Sequence, residues 1–332
     1  MDNFPNISII IVTYNGKRYI PDLFESLCNQ SYAIDKMEII VLDNASTDDT
    51  ADIISKQYPK VKVIKLGENI GYAAGNNKAL QYASHDFLVF LNQDTICHRN
   101  WLRGLIQCMQ ERPDAGACTS NMVIVDSGVG RMIDRNIMPD SLSYYDLSIF
   151  GYACYRKGVK GDIILTKMIS GCSFVIRRKL IEELRCLFDE DLWMYVEDTD
   201  LSLRIHNLGY KTCAVRDSVV YHLHNMNIIF NIPNLNIAAK AIMNRVYVFF
   251  KNMSWLEFIV FYPLLLFGGM FKIITIQISL FRKILYTLPY AVFSISCMVV
   301  ALSNMQKYYA KRKIILKNRT SQKMHILRLI LN

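Results

Sequence analysis

The sequence predicts an α/β fold built on a mainly parallel sheet with helices on both faces, followed by a hydrophobic and basic helical region. Three observations predict it. Uninterrupted β-branched runs such as Ile7–Thr13 (ISIIIVT) lack polar alternation and suit strands buried on both faces. Such runs alternate with segments of helical periodicity, the order expected of parallel strands joined by crossover helices. Charge then divides the chain. Of 38 Lys+Arg, eleven follow the last acidic residue, Glu257, so residues 1–257 hold 27 basic groups against 29 acidic ones and the rest is purely cationic.

After the first strand, Tyr19–Gln30 places Ile20, Leu23, Phe24 and Leu27 at helical spacing, and Glu38–Leu42 (EIIVL) repeats the buried-strand pattern. Ser46 or Thr47 is the expected N-cap of a helix running to Gln57, with a strand after it at Val61–Leu66. Asn76–Ala83 reads as helix and Phe87–Leu91 (FLVFL) as another apolar strand. From Asp126 to Lys160 no period is sustained, and an irregular segment is expected. Strand character returns at Ile169–Ile176, helix at Arg178–Leu187, and a further helix at Asp198–Asn207 stops before Gly209. A single core stops growing at roughly 250 to 300 residues, so one large domain at 1–225 and an appended region at 226–332 are expected.

In that second region Phe258–Phe281 is uncharged apart from Lys272, and Ile284–Met305 is uncharged throughout. A membrane span needs about 20 apolar residues, so a hairpin is open to both stretches. Arg282 and Lys283 in its short loop make helices lying in the interface a competitor. Lys307, Lys311, Arg312, Lys313, Lys317, Arg319, Lys323 and Arg328 suit the anionic lipids of a cytoplasmic leaflet. The plainer alternative is a helical subdomain packed on the enzyme with a solvated basic face. Residues 1–6 lack the basic-then-apolar order of a signal peptide, and the nine cysteines show no CxxC spacing, which fits a reducing compartment and disfavours both a disulfide framework and a zinc site. The expected location is the cytoplasmic face of the cell membrane. Because the basic excess belongs to the tail alone, nucleic acid is not an expected partner.

In α/β sheets ligands bind beyond the carboxyl ends of the strands. The residues there are Tyr14-Asn15, Asp43-Asn44-Ala45-Ser46 and Asn92-Gln93-Asp94. Asp43 can accept a hydrogen bond from the imide N–H of uracil or thymine, and it can equally cap the next helix. Asp94 offers a hard oxygen to Mg2+ or Mn2+, and His222, closing the strand-like VVYH, offers an imidazole. A lone Asp after a strand also suits a turn. Glu197, Asp198 and Asp200 crowd a helix start, where the macrodipole favours negative charge. A carboxylate there is also placed to act as a general base if a neighbour such as Arg204 orients it, and Asp198 is the choice for that role. In NIGYAAGNN, Gly71, Gly75 and Asn76-Asn77 leave room for sugar and phosphate; the spacing is not the dinucleotide fingerprint, which disfavours a nicotinamide enzyme.

Four stretches in this order resemble the family 2 glycosyltransferases of the GT-A fold: SIIIVTYNG at 8–16, VLDNASTDDT at 41–50, ENIGYAAGNN at 68–77 with FLNQDT at 90–95, and SGCSFVIRR with FDEDLWMYVEDTDLSLRIHNLGYK at 170–211. The likeness covers residues 5–225. It implies a nucleoside-diphosphate sugar donor, UDP- or dTDP-linked, with Thr13, Tyr14, Asn15, Asp43, Asn44, Gly71, Asn76 and Gln93 at the nucleotide. It implies that Asp94 binds a divalent metal, Mg2+ or Mn2+, at the last position of a DxD motif whose first position here is Asn92, as in members resembling rhamnosyltransferases. His222 matches a metal-binding histidine of some branches, and Asp198 matches the catalytic base. Trp193, Glu197, Asp200 and Arg204 are placed as acceptor-binding or supporting residues. The implied reaction is inverting transfer, possible donor sugars including rhamnose by likeness at 68–77, to a glycan or lipid-linked acceptor. A nucleotidyltransferase, which would release pyrophosphate, and a non-catalytic membrane scaffold are the alternatives. A scaffold has no use for Asp43, Asp94, Asp198 and His222 together.

Overall fold

The structure is a computed structural model that describes residues 4–126, 138–224, 235–275, 292–293, 295–319 and 326–331. Its strands are β1 (Ile7–Thr13), β2 (Met37–Asp43), β3 (Lys62–Lys65), β4 (Phe87–Leu91), β5 (Thr95–Cys97), β6 (Ala115–Asp126), β7 (Leu142–Leu147), β8 (Ala153–Val159), β9 (Ile163–Thr166), β10 (Ser173–Arg177) and β11 (Lys211–His224). The helices used below are α1 (Ile20–Cys28), α2 (Thr50–Gln57), α3 (Gly71–Leu80), α4 (Trp101–Glu111), α5 (Arg178–Leu184), α6 (Glu197–Asn207), α7 (Leu235–Asn252), α8 (Trp255–Thr275), α9 (Gln306–Lys317) and α10 (Ile326–Leu331).

Nine strands form one mixed sheet in the order β3-β2-β1-β4-β10-β6-β11-β5, with β9 added on β11. β1 lies parallel between β2 and β4, in register from Ile7 with Met37 to Thr13 with Asp43. Because successive side chains of a strand point to opposite faces, Ile7, Ile9 and Ile11 pack under α1 and α4 while Ile10 meets α3, α5 and α6. Helices on both faces are thus as expected, but the sheet is parallel only across its first four strands and again between β6 and β11. β10 runs antiparallel to both β4 and β6, and β5 and β9 run antiparallel to β11. Burial on both faces is the same for either direction, so an apolar run in a sequence does not reveal it.

Other boundaries differ for local reasons. α3 begins at Gly71, five residues before the expected start, so the glycine- and asparagine-rich run is helix. α2 starts at Thr50 behind a left-handed Asp49, and Ser46 turns back to Asp43 instead of capping it. The segment expected to be irregular contains an antiparallel pair, β7 and β8, with Tyr145 opposite Tyr155; residues 127–137 lie outside the described residues. Tyr144 and Tyr145 fall on opposite sides of β7, and a run rich in half-polar tyrosine hides its period of two.

The helices beyond residue 235 share a second core with the sheet domain. Val246, Phe249, Phe250, Phe261 and Leu265 pack with Leu147, Met168, Leu192, Val196 and Leu203. Among the described residues no helix is long and apolar enough to cross a membrane. Much of the two expected membrane stretches, including 276–291, lies outside the described residues.

Three basic residues of the tail, Lys311, Arg312 and Arg319, pack against the protein, and the exposed Lys307 pairs at the surface. Lys311 pairs with Asp191 at 2.6 Å and with Asp189, Arg319 pairs with Glu257 at 3.0 Å, and Lys307 reaches Asp191 at 2.9 Å. Arg312 is buried, donates to the Phe250 carbonyl and lies over the Trp255 ring. Their partners are more than 50 residues earlier in the chain, where a local charge count cannot find them. Lys313, Lys317 and Arg328 are exposed, and Lys323 lies outside the described residues.

Candidate active site

The carboxyl ends of β1, β2 and β4 put three polar loops side by side. Asn44 N–H donates to the Thr13 carbonyl at 2.8 Å, which carries the β1–β2 pairing one step past the sheet. Asp43, 4% exposed, accepts from the Ser46 N–H at 3.1 Å and from the Ser46 hydroxyl. Asn15, at φ 49°, accepts from the Thr47 N–H at 2.8 Å, and its own N–H donates to Ser46 Oγ at 2.9 Å. Gln93 ties the β4 end to this rim. Its Oε1 accepts from the Tyr14 N–H at 3.0 Å and from the Thr13 hydroxyl, and its Nε2 donates to the Tyr14 carbonyl at 3.2 Å. A Cβ on Gly16 would sit 2.1 Å from Gln93 Oε1, so a side chain there would displace the tie. The Tyr14 side chain remains exposed beside this network.

β11 and β5 add the next part of the rim. Asp94 Oδ1 lies 3.3 Å from His222 Nε2, both side chains partly accessible, while the Leu223 N–H holds the Asp94 carbonyl at 2.8 Å. A carboxylate oxygen and an imidazole nitrogen this close can share one divalent ion, since each would stand roughly 2.1 Å from it. The buried Asn92 Oδ1 has no hydrogen-bond partner among the described residues, so a further oxygen donor lies two residues from Asp94. Burial alone would lower the His222 pKa; Cys172 and the Asp94 carboxylate outweigh it and raise it well above the usual histidine range.

Opposite stands the start of α6. Asp198 Oδ2 accepts from the Gly171 N–H at 3.2 Å and Oδ1 from the Thr199 N–H at 2.7 Å. Burial raises its pKa, the two N–H groups working against that shift. Glu197 beside it is 8% exposed, its Oε2 has no hydrogen-bond partner among the described residues, and burial together with the Asp198 charge raises its pKa to about 8. The next residue after Gly171 closes the ring: the Cys172 carbonyl accepts from the Asn92 N–H at 2.9 Å. Asp43, Asp94, His222 and Asp198 are thus connected by hydrogen bonds that run through Thr13, Gln93, Asn92, Cys172 and Gly171 and by the Asp94–His222 pair.

Several residues expected at the ligand are used inside the protein instead. The Asn44 side chain donates to the Gly71 carbonyl at 3.1 Å and accepts from the Ile70 N–H at 2.9 Å, so it fixes the start of α3. Asn76, 2% exposed, bonds back to the Tyr72 carbonyl within α3. Gly71, at φ 86°, makes room for the Trp193 indole, since a Cβ there would fall 2.3 Å from the ring, and not for phosphate. Arg204 does not orient Asp198. It bonds Asp200 at 2.9 Å and the carbonyls of Cys186 and Leu187. Asp200, fully buried, also meets Lys251 at 3.0 Å and Asn252 at 2.9 Å. Residues that the sequence reading missed include Gly171, whose N–H holds Asp198, and Tyr72, whose hydroxyl donates to the Gly171 carbonyl at 2.8 Å.

A mixed α/β sheet of this order with an acidic rim at its carboxyl edge is the architecture of GT-A type glycosyltransferases. Residues 8–185 match the sequence profile of Glycosyl transferase family 2, and the chain belongs to that family. TuaG of Bacillus subtilis (strain 168), named as a teichuronic acid biosynthesis glycosyltransferase, is 35% identical over 147 residues, which are 43% of this chain and 56% of that protein. The chain thus spans little more than half of that relative. Among solved structures, GalNAc-T7 with UDP, GalNAc and Mn2+ aligns with 97% of this chain and 56% of its own at TM-score 0.66 and 17% identity. TarS of S. aureus in complex with UDP-GlcNAc aligns with 98% and 90% at TM-score 0.56 and 16% identity. At these identities the two structures share the fold.

Proposed function

We propose that this chain is an inverting hexosyltransferase that moves a sugar from a UDP- or dTDP-linked donor to a glycan or lipid-linked acceptor. One observation carries the reading: Asp198 sits at a helix start, held by two backbone N–H groups, and no described cation pairs with it. A half-buried carboxylate held without a counter-charge is available to take a proton. In this scheme Asp198 accepts the proton of the attacking acceptor hydroxyl while the Thr13, Asp43 and Gln93 rim holds the nucleotide. Asp94 and His222 would hold Mg2+ or Mn2+, which when bound neutralises charge on the departing diphosphate. Glu197, protonated by its surroundings, and Trp193 border the acceptor side. The UDP and UDP-GlcNAc of the structural neighbours support the donor class, and dTDP-rhamnose is the first alternative to test.

The reading extends to the cytoplasmic face of the membrane. Leu256, Ile259 and Val260 on α8, with Val292, Ile295 and Val299, are exposed apolar side chains, and Lys313 and Lys317 are exposed cations. An apolar surface with cations suits an anionic lipid interface.

A screen of UDP-, dTDP- and GDP-sugars with Mn2+ tests the reaction. Release of a nucleoside diphosphate with one donor is expected; pyrophosphate from a sugar phosphate and a nucleoside triphosphate would make the enzyme a nucleotidyltransferase. Asp198→Asn should lower turnover by about 100-fold or more while donor affinity is retained. Wild-type turnover in that variant would remove Asp198 from the chemistry.

A further inference from the structure

The residues leading into Asp198 adopt a conformation that side chains resist. Trp193, Tyr195 and Val196 have φ of 59°, 70° and 71°, and Val196 is the residue immediately before α6. Left-handed backbone is costly for ordinary residues and most costly for β-branched ones, so it persists only where neighbours hold it. The hold comes from α7, beyond the family match. Asn244, 3% exposed, directs Nδ2 at three carbonyls of this one loop: Leu192 at 2.8 Å, Met194 at 3.2 Å and Tyr195 at 3.2 Å. Two turns along the same helix face, Lys251 meets Asp200 at 3.0 Å, and the adjacent Asn252 bonds Asp200 at 2.9 Å. One turn before Asn244, the Lys240 ammonium lies 4.6 Å from the centre of the Trp193 ring. The contacts of α7 therefore bracket Asp198, on the loop before it and on the residue two positions after it.

We infer that Asn244 is a positioning residue for the proposed base: its amide holds the left-handed turn that aims Asp198, so the helical region completes the active site. The inference rests on Asp198 acting as the base. No apolar side chain can replace the amide, because the three carbonyls need a donor. Nor does Asn244 contact the nucleotide rim, so its loss acts on turnover and not on donor binding.

The test is Asn244→Leu in the full chain. kcat should fall about 10- to 100-fold, as expected when a reacting group is misplaced by an ångström, while UDP affinity with Mn2+ stays within about 2-fold. Backbone amides of residues 193–198 should exchange with deuterium faster, and those of β1 and β4 should not change. Adding Val196→Gly, which adopts this φ without strain, should restore part of kcat. Asn244→Ser serves the same measurements if the leucine variant does not fold. An unchanged kcat, or a fall matched by lost UDP affinity and not relieved by the glycine, would overturn the inference. A fully active Asp198→Asn would instead overturn the choice of base, and the exchange rates of residues 193–198 would still report on the clamp.

Discussion

Two sets of carboxylates lie within twelve residues of each other and have opposite surroundings. Asp189 and Asp200 are buried and share one cation, Lys251, with Lys311 and Arg204 adding to it. Burial alone would raise Asp189, but Lys251 and Lys311 carry its pKa well below the usual carboxylate range. Glu197, buried, and Asp198, half-buried, lie between them with no ion pair among the described residues, and both are shifted upward. The comparison separates two uses of the same chemistry. A paired carboxylate fastens α6 and its approach to the C-terminal helices; an unpaired one is held ready to exchange a proton.

Substitutions can break this contrast. Lys251→Met should have the largest effect, destabilising the chain by about 3 kcal/mol or more because it leaves two carboxylates short of a buried partner. Urea unfolding measures it, and a loss under about 1 kcal/mol would mean that the pairing is not desolvated. Glu197→Gln should act in the other direction and depend on pH. The Glu197 pKa is about 8 in the folded chain against 4.5 ordinarily, so between those values the folded state holds a proton that the unfolded state has released. Stability from this group is therefore lost as pH rises through that window, and glutamine removes the loss. The stability of the variant relative to the parent should grow from pH 5 to pH 8; a constant difference would show that Glu197 ionises normally. Asp191→Asn should matter least, under about 1 kcal/mol, since Asp191 and its partners Lys307 and Lys311 are all partly exposed. A larger loss would place that pair with the buried set.

The first four strands and the positions of Asp43 and Asp94 were legible because each rests on local information, an apolar run and then a polar residue where the run stops, and Asp198 because carboxylates crowd a helix start. Strand direction after β4 was not, since burial does not encode it. Asn44 and Gly71 read as ligand residues because a loop asparagine and a glycine look alike whether they face a phosphate or an indole. Asn244 and Lys251 left no signal, as their partners are roughly 50 to 60 residues earlier and meet them only after two cores have formed. The cysteines show the same limit. Scattered in sequence, Cys108, Cys118 and Cys213 come within 4.8 Å of one another where α4 crosses β6 and β11.

The second core has a practical meaning for anyone dissecting the molecule. Leu192, Val196 and Leu203 are covered by Val246, Phe249 and their neighbours, so a fragment ending near residue 225 would have a greasy wound directly behind Asp198. Such a piece would be expected to clump or to bind detergent, and its inactivity would say nothing about where the sugar is transferred.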